Sequence, residues 1–294
     1  MSGGDDRVYD GSFYEFAGDA ARESAEEIVP LLLAMTGARS VVDVGCGIGT
    51  WLASFQRHHV DDVLGFDGTH VERASLEIPS ERFRAWDLEQ PLLIDRTFDL
   101  ACCLEVAEHL SEPRADTLVD DLARLAPIVL FSAAIPLQGG IGHINERWPT
   151  YWVEKFTKRG LIVVDAIRPA VWDNNRVAMW YSQNCLLFAT DDAIRAHPHL
   201  AKARAATELT QLNRVHPSMY LYHRLNLTEM MAYVPLDTMS RESIERQEPV
   251  PSAAAPESAP PPGLRSLVRQ IPPAARLAVT TRWKRWSGNR HALP

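Results

Sequence analysis

No apolar run in this chain reaches the length a bilayer requires, which argues against a membrane-spanning helix. The opening MSGGDDRVYDG lacks the basic and apolar regions of a secretory leader, so the expected compartment is the cytoplasm. Cysteine is scarce: Cys46, Cys102, Cys103 and Cys185 show neither metal nor disulfide spacing, and read as reduced, mostly buried thiols. A basic body is also missing. The net charge is −8, yet residues 264–294 hold seven Arg or Lys and no Asp or Glu, so the preceding part carries −15. Nucleic-acid binding leans on phosphate neutralisation, so an acidic body favours a small or sugar-like ligand over RNA or DNA.

What is present fits one good-sized core with length to spare: 294 residues, 46% hydrophobic and 23% charged. The most informative stretch is Asp43 to Trp51, DVGCGIGTW, which follows the apolar Ser40-Val41-Val42 and precedes a helix-like segment. It reads as strand, glycine turn and helix start, with Gly45, Gly47 and Gly49 spaced G-x-G-x-G. That is one residue tighter than the G-x-G-x-x-G whose helix start holds a pyrophosphate. Asp43, just ahead of the turn, suits a cationic or amine-bearing ligand better than a phosphate. The next apolar run, Val63 to Phe66, ends in Asp67, where an acid can accept both hydroxyl hydrogens of a ribose. A third run, Phe83 to Trp86, ends in Asp87-Leu88, where an acid could hold an adenine amino group.

Three acids at the ends of successive strands, behind such a glycine turn, resemble the class I S-adenosylmethionine-dependent methyltransferases over residues 35–190. The resemblance implies a Rossmann-like α/β fold, a seven-stranded sheet of order 3-2-1-4-5-7-6 with strand 7 antiparallel and helices on both faces. It also implies S-adenosylmethionine held by Asp43, Gly45, Cys46, Gly47, Gly49, Trp51, Asp67, Gly68, Asp87, Leu88 and Leu104. The residue pattern places strands near 40–45, 62–67, 82–86, 98–104, 127–133, 161–166 and 184–190. No clear helix separates the last two, and that suits an antiparallel closing pair. Residues 8–37 read as a helical lead-in that ends at Gly37. Its Tyr9, Phe13 and Tyr14 either close over the cofactor or pack on the core.

Phe98 to Leu110, FDLACCLEVAEHL, reads as a strand running into a helix at Glu105. One helical face would then carry Glu105, Glu108 and His109. His143 follows in a loop with Gly139, Gly140 and Gly142 at the same sheet edge. Glu105, Glu108, His109 and His143 make an oxygen- and nitrogen-donor set suited to a divalent ion such as Mg2+ or Mn2+. E-x-x-E-H with a later His is similar to the small-RNA 3′-terminal 2′-O-methyltransferases, whose matching residues bind a magnesium-class ion, and to the ubiquinone-pathway O-methyltransferases. The His109 to His143 interval is shorter than in the RNA enzymes, and no RNA-binding extension stands out. Without a metal, His143 or His109 becomes the general base, with Glu105 beside them. The alternative is that the acids merely solvate a helix start and His109 packs nearby.

The segments GGIGHINERWPTYWVEKF and RPAVWDNNRVAMWYSQN resemble methyltransferases of bacterial polysaccharide and specialised-metabolite biosynthesis. Their Trp148, Tyr151, Trp152, Trp172, Trp180 and Tyr181, with Asn145, Asn174, Gln183 and Asn184, could meet a sugar ring, or the aromatics could fill the core. The expected domains are a methyltransferase domain at 1–190, a helical appendage at 191–246, a Pro/Ala-rich linker at 247–263 and a basic tail at 264–294. The appendage either packs on the core or pairs two subunits into a homo-oligomer. The tail, with Trp283 and Trp286 among its arginines, is read as a peripheral contact with the inner membrane surface, a solvated tail or a partner-docking peptide. The function expected is O-methylation of a hydroxyl on a sugar, polysaccharide or glycosylated metabolite. An RNA 3′-terminal 2′-O-methyltransferase and a non-catalytic cofactor-binding scaffold are its competitors.

Overall fold

A computed structural model describes the backbone of residues 11–223 and the side chains of residues 18–223. Tyr9, the side chains of Phe13 and Tyr14, the later part of the 191–246 segment, the linker and the basic tail lie outside the described residues.

Helix α1 (Gly11–Thr36) leads into β1 (Ser40–Val44), and Gly37, at φ +61°, turns the chain between them. A left-handed residue after a helix is where glycine costs least. Then come α2 (Thr50–Arg57), β2 (Asp62–Asp67), β3 (Phe83–Ala85), β4 (Leu100–Leu104), α3 (Arg114–Leu125) and β5 (Ile128–Ser132). The chain continues through α4 (Pro149–Thr157), β6 (Leu161–Val164), α5 (Ile167–Val171), α6 (Met179–Asn184) and β7 (Leu186–Thr190), then α7 (Asp191–Ala196) and α8 (Pro198–Ala205). The strands form one sheet in the order β3-β2-β1-β4-β5-β7-β6. All pairs are parallel except those of β7 with β5 and with β6. The turn-back between β6 and β7 is not bare loop: it holds α5 and α6, too short to announce themselves by periodicity.

LACCL and IVLFS, the two strands at the centre, are buried at every position. That is the signature of parallel strands covered on both faces. One cover is built from α1, α2, α5, α6, α7 and α8, with Ile28, Leu32, Phe55, Ile167, Tyr181 and Leu200 packing on alternate strand residues such as Val41, Leu100 and Leu130. The other is α3 and α4, whose Leu118, Leu122, Trp152 and Phe156 meet Val42, Ala101, Val129, Phe131 and Phe188. Each such side chain taken fully out of water contributes about 2 kcal/mol. The first compact unit runs through His216, so α7 and α8 belong to it rather than to an appendage beginning at 191. Pro217 opens the second unit, of which the helical residues 217–223 are described. Among the described residues no helix is long and apolar enough to cross a membrane. All four cysteines are buried and free.

Candidate active site

Strand order reverses direction at β1 and β4, whose carboxyl ends leave a crevice of the kind that binds ligands in open α/β sheets. Everything singled out below lies along that edge.

Beyond β1 the glycine turn adopts φ +88° at Gly45, +53° at Gly47 and +87° at Gly49, all in the region that side chains disfavour. Space is short as well. A Cβ on Gly45 would come within 2.2 Å of Val106, the residue after Glu105. The N–H groups of Gly45 and Cys46 both donate to the Phe66 carbonyl, at 2.8 and 3.1 Å. Asp67 ties the loop from the other side: Oδ2 accepts the Gly47 N–H and Oδ1 the Gly68 N–H, each at 2.6 Å. Each carboxylate oxygen keeps a second lone pair, so acceptance of ribose hydroxyls is compatible with this bracing.

Asp43 differs. Its carboxylate is buried, and Oδ1 has no hydrogen-bond partner. Burial, reinforced by the charge of Asp67, pushes its pKa up to about 8. A buried acid without a partner is costly unless a positive group arrives to offset it, so this atom fits a cationic or ammonium-bearing cofactor. Trp51 is buried in the first turn of α2 and meets Tyr181 edge-on at 5.1 Å. Leu104 is buried at the end of β4. Asp87 is exposed after β3, with Oδ1 accepting the Glu89 N–H at 3.0 Å. The neighbouring Leu88 carbonyl is gripped by Arg114, itself paired with Asp121 inside the protein.

Beyond β4 the structure departs from the single helical face read in the sequence. Glu105 takes φ +54°, Ala107–His109 form one 3-10 turn, and the helix starts only at Arg114. The turn therefore splits the acids. Glu105 points into an amide cradle, accepting Gln138 Nε2 at 2.9 Å and Asn184 Nδ2 at 3.1 Å. Gln183 backs the cradle by donating to Gln138 Oε1 and Asn184 Oδ1, while its own Oε1 accepts the His216 N–H. Of the amides offered by the sequence to a sugar, Asn184 is thus spent on Glu105, Gln183 on Gln138, Asn184 and the His216 N–H, and Asn174 on Glu27 of α1.

Glu108, His109 and His143 do converge: one ligand atom from each lies within 4.8 Å of the others. Glu105, predicted as a fourth ligand, is outside this group. Neither oxygen of the fully buried Glu108 has a hydrogen-bond partner of ordinary geometry. Burial first, then the charge of Glu105, hold its pKa well above the usual carboxylate range. Burial, with His143 alongside, lowers the His109 pKa to about 4, so its imidazole stays neutral and keeps a lone pair near neutral pH. The two imidazoles meet at right angles, 4.7 Å apart. The loop is pinned here, because Ile144 and Asn145 both donate their N–H to the Glu108 carbonyl. Orphaned carboxylate oxygens beside two imidazoles match the donors a divalent ion prefers.

Two groups gave no signal of their own in the sequence. Gln138 holds Glu105, and Glu146 accepts from His143 Nδ1 at 2.9 Å. Glu146 lies three residues past His143, a spacing that means nothing until a loop turns it inward. Of the aromatics, Trp152 and Tyr181 are core and Trp180 packs partly against it, whereas Trp148 remains 39% exposed.

Sheet order, glycine turn and the acids at the strand ends define a class I S-adenosylmethionine-dependent methyltransferase. A methyltransferase-domain family model matches residues 16–176, more than half of the chain, and the protein belongs to that family. Among curated proteins no sequence matches. Similar solved structures include DesVI of Streptomyces venezuelae, 15% identical with a TM-score of 0.48, over 61% of this chain and 95% of that one. The sugar N-methyltransferase KedS8 of Streptoalloteichus is 18% identical, TM-score 0.47, over 65% and 98%. The methyltransferase domain of bacterial CtHen1 is 18% identical, TM-score 0.42, over 57% and 99%.

Proposed function

We propose that this enzyme methylates a hydroxyl of a carbohydrate or glycosylated small molecule, with a divalent ion such as Mg2+ or Mn2+ held by Glu108, His109 and His143. The observation that carries the reading is the buried Glu108 carboxylate, with no hydrogen-bond partner of ordinary geometry at either oxygen, converging with two imidazoles. A carboxylate in that state is stable only as a neutral acid or as a ligand.

S-adenosylmethionine supplies the sulfonium methyl group. Asp43 would balance the positive end of that cofactor, Asp67 would hold its ribose while bracing Gly47, and the exposed Asp87 would face its base. Held by Glu108, His109 and His143, the ion would supply Lewis acidity to an acceptor hydroxyl. His109, neutral at working pH, presents a free lone pair rather than a competing proton. The protein's further task is to fix the acceptor in near-attack geometry. Apolar side chains around His143 suit the C–H faces of a sugar or its aglycone: Leu137 is 87% exposed, Ile144 68%, and Trp148 stands beside them in sequence. The acidic body counts against an RNA end as acceptor.

The test is methyl transfer to a panel of sugars, glycosides and short RNAs, with Mn2+ or with EDTA. Transfer to glycosides that EDTA abolishes supports the proposal. Transfer to RNA ends would overturn the acceptor. Transfer that survives EDTA but not His143→Ala would reassign His143 as the base that takes the hydroxyl proton.

A further inference from the structure

Glu146 is held at both of its carboxylate oxygens beside the candidate centre. Its Oε2 accepts the Leu137 N–H at 2.7 Å, and its Oε1 accepts the Gly139 N–H at 2.8 Å and meets His143 Nδ1 at 2.9 Å. Two of these donors are backbone, so the carboxylate is fixed before the imidazole reaches it. The pair is sheltered, with 12% of the His143 side chain and 18% of the Glu146 side chain exposed. An ionised carboxylate cannot donate, so Nδ1 carries the hydrogen of this contact, and in the neutral ring Nε2 keeps its lone pair. The ring is confined on its other edge as well. Gly140 lies so close that a Cβ there would sit 2.2 Å from Nε2.

The loop's odd backbone belongs to the same arrangement. Leu137 is at φ +69°, a conformation that costs a leucine about 1–2 kcal/mol. Its side chain is 87% exposed and returns little burial. What the conformation does achieve is to aim two successive odd-numbered N–H groups, those of Leu137 and Gly139, at one carboxylate. Strain held where it orders a functional side chain is the pattern expected of a site rather than of a core.

We infer that Glu146 is a positioning residue: it locks the 137–146 loop onto His143, fixes that imidazole as the Nδ1–H tautomer and thereby presents Nε2 to the reaction centre. This deepens the reading of His143 given above, and it holds whether Nε2 serves an ion or takes a proton. A carboxylate behind a ligating histidine raises its basicity and orients its ring, and loss of such a partner typically costs about 10–100-fold in metal affinity.

Two measurements on the full chain test it. In 15N-histidine-labelled protein without metal, NMR should show His143 as the Nδ1–H tautomer in the wild type and a tautomer mixture in Glu146→Ala. Mn2+ titration followed by electron paramagnetic resonance should show affinity falling about 10–100-fold in Glu146→Gln. In a His143→Ala background the same change should have almost no further effect. A role confined to bracing the loop would lower affinity equally in both backgrounds and overturn the inference, as would an Nε2–H tautomer in the wild type. Should the wild type take up no Mn2+, the metal reading fails by itself, and the tautomer alone decides the role of Glu146.

Discussion

The two sides of the crevice solve the same problem, holding acids at a sheet edge, by opposite means. On the β1–β2 side the groups fixed are backbone N–H groups of the turn, held by the Phe66 carbonyl and the Asp67 carboxylate at the end of the next strand. On the β4–β5 side the holding groups are side chains, some drawn from far along the chain and one from within the same loop. Glu105 depends on Gln138 and Asn184, and His143 on Glu146. Backbone bracing makes the first side part of the fold. The second is closer to an insert whose geometry can be lost while the sheet survives. The two touch where Val106 abuts Gly45.

The largest effect that would break this contrast is expected at Glu108. Glu108→Gln keeps the shape and removes the charge. Methyl transfer should fall about 1,000-fold as the ion loses its anionic ligand. The melting temperature of the metal-free protein should not fall, since the raised pKa already keeps Glu108 there as a neutral acid that a glutamine mimics. A variant both inactive and less stable would show that Glu108 serves the fold.

Paired glycine substitutions sharpen it further. Gly45→Ala meets both a positive φ and Val106, and should lower stability by about 2–4 kcal/mol. Val106→Ala would relieve the collision but not the backbone strain, so rescue should be partial. Gly140 has no positive φ, and its intruding neighbour is the His143 ring. Gly140→Ala should leave thermal stability within about 1 kcal/mol of wild type while methyl transfer drops tenfold or more. Equal losses of stability at the two positions would erase the distinction between the sides.

A smaller effect is expected at Asp43. Calorimetric titration of Asp43→Asn with S-adenosylmethionine should show binding weakened about 10–100-fold, that is about 1.4–2.8 kcal/mol. The ligand-free variant should be no less stable than the wild type at neutral pH, because the orphaned acid is gone. Destabilisation without loss of affinity would make Asp43 a core group.

This asymmetry also sets what could be read from residues alone. Val41, Val63, Leu100 and Ile128 announce their strands because burial on both faces leaves uninterrupted apolar runs, and the glycine spacing is local. Sheet order came from the family resemblance, and the observed pairing agrees with it. The helical face at 105–109 was misread because i, i+3, i+4 spacing is indifferent to a residue at φ +54°, and only Ser132, from the neighbouring strand, shows why the chain turns: its carbonyl and Oγ both take the Glu105 N–H. Gln183 and Asn184 looked free for a ligand because nothing local reveals partners 45 and 79 positions away. Glu146 was silent for another reason: its spacing of three from His143 means nothing until the loop turns it inward. Side chains that act on distant side chains leave no period.

The last and smallest effect is in proton linkage, and its sign follows from Asp43. In the ligand-free protein its pKa stands at about 8 against an ordinary value of 3.8, with burial as the main cause. A raised carboxyl pKa means that the folded state keeps a proton the unfolded chain gives up. The stabilising contribution is therefore complete below pH 3.8 and is lost as pH rises through about 8. A cationic ligand reverses the preference by favouring the carboxylate. Binding S-adenosylmethionine near pH 7 should then release close to one proton, visible as a dependence of the calorimetric heat on the ionisation enthalpy of the buffer. Affinity should increase up to about tenfold per pH unit between the bound and free pKa values and level off above pH 8. In Asp43→Asn both the buffer dependence and the slope should vanish. Proton release that persists in this variant would move the linkage off the glycine turn and onto the opposite side of the crevice, where Glu105 and Glu108 also carry raised values.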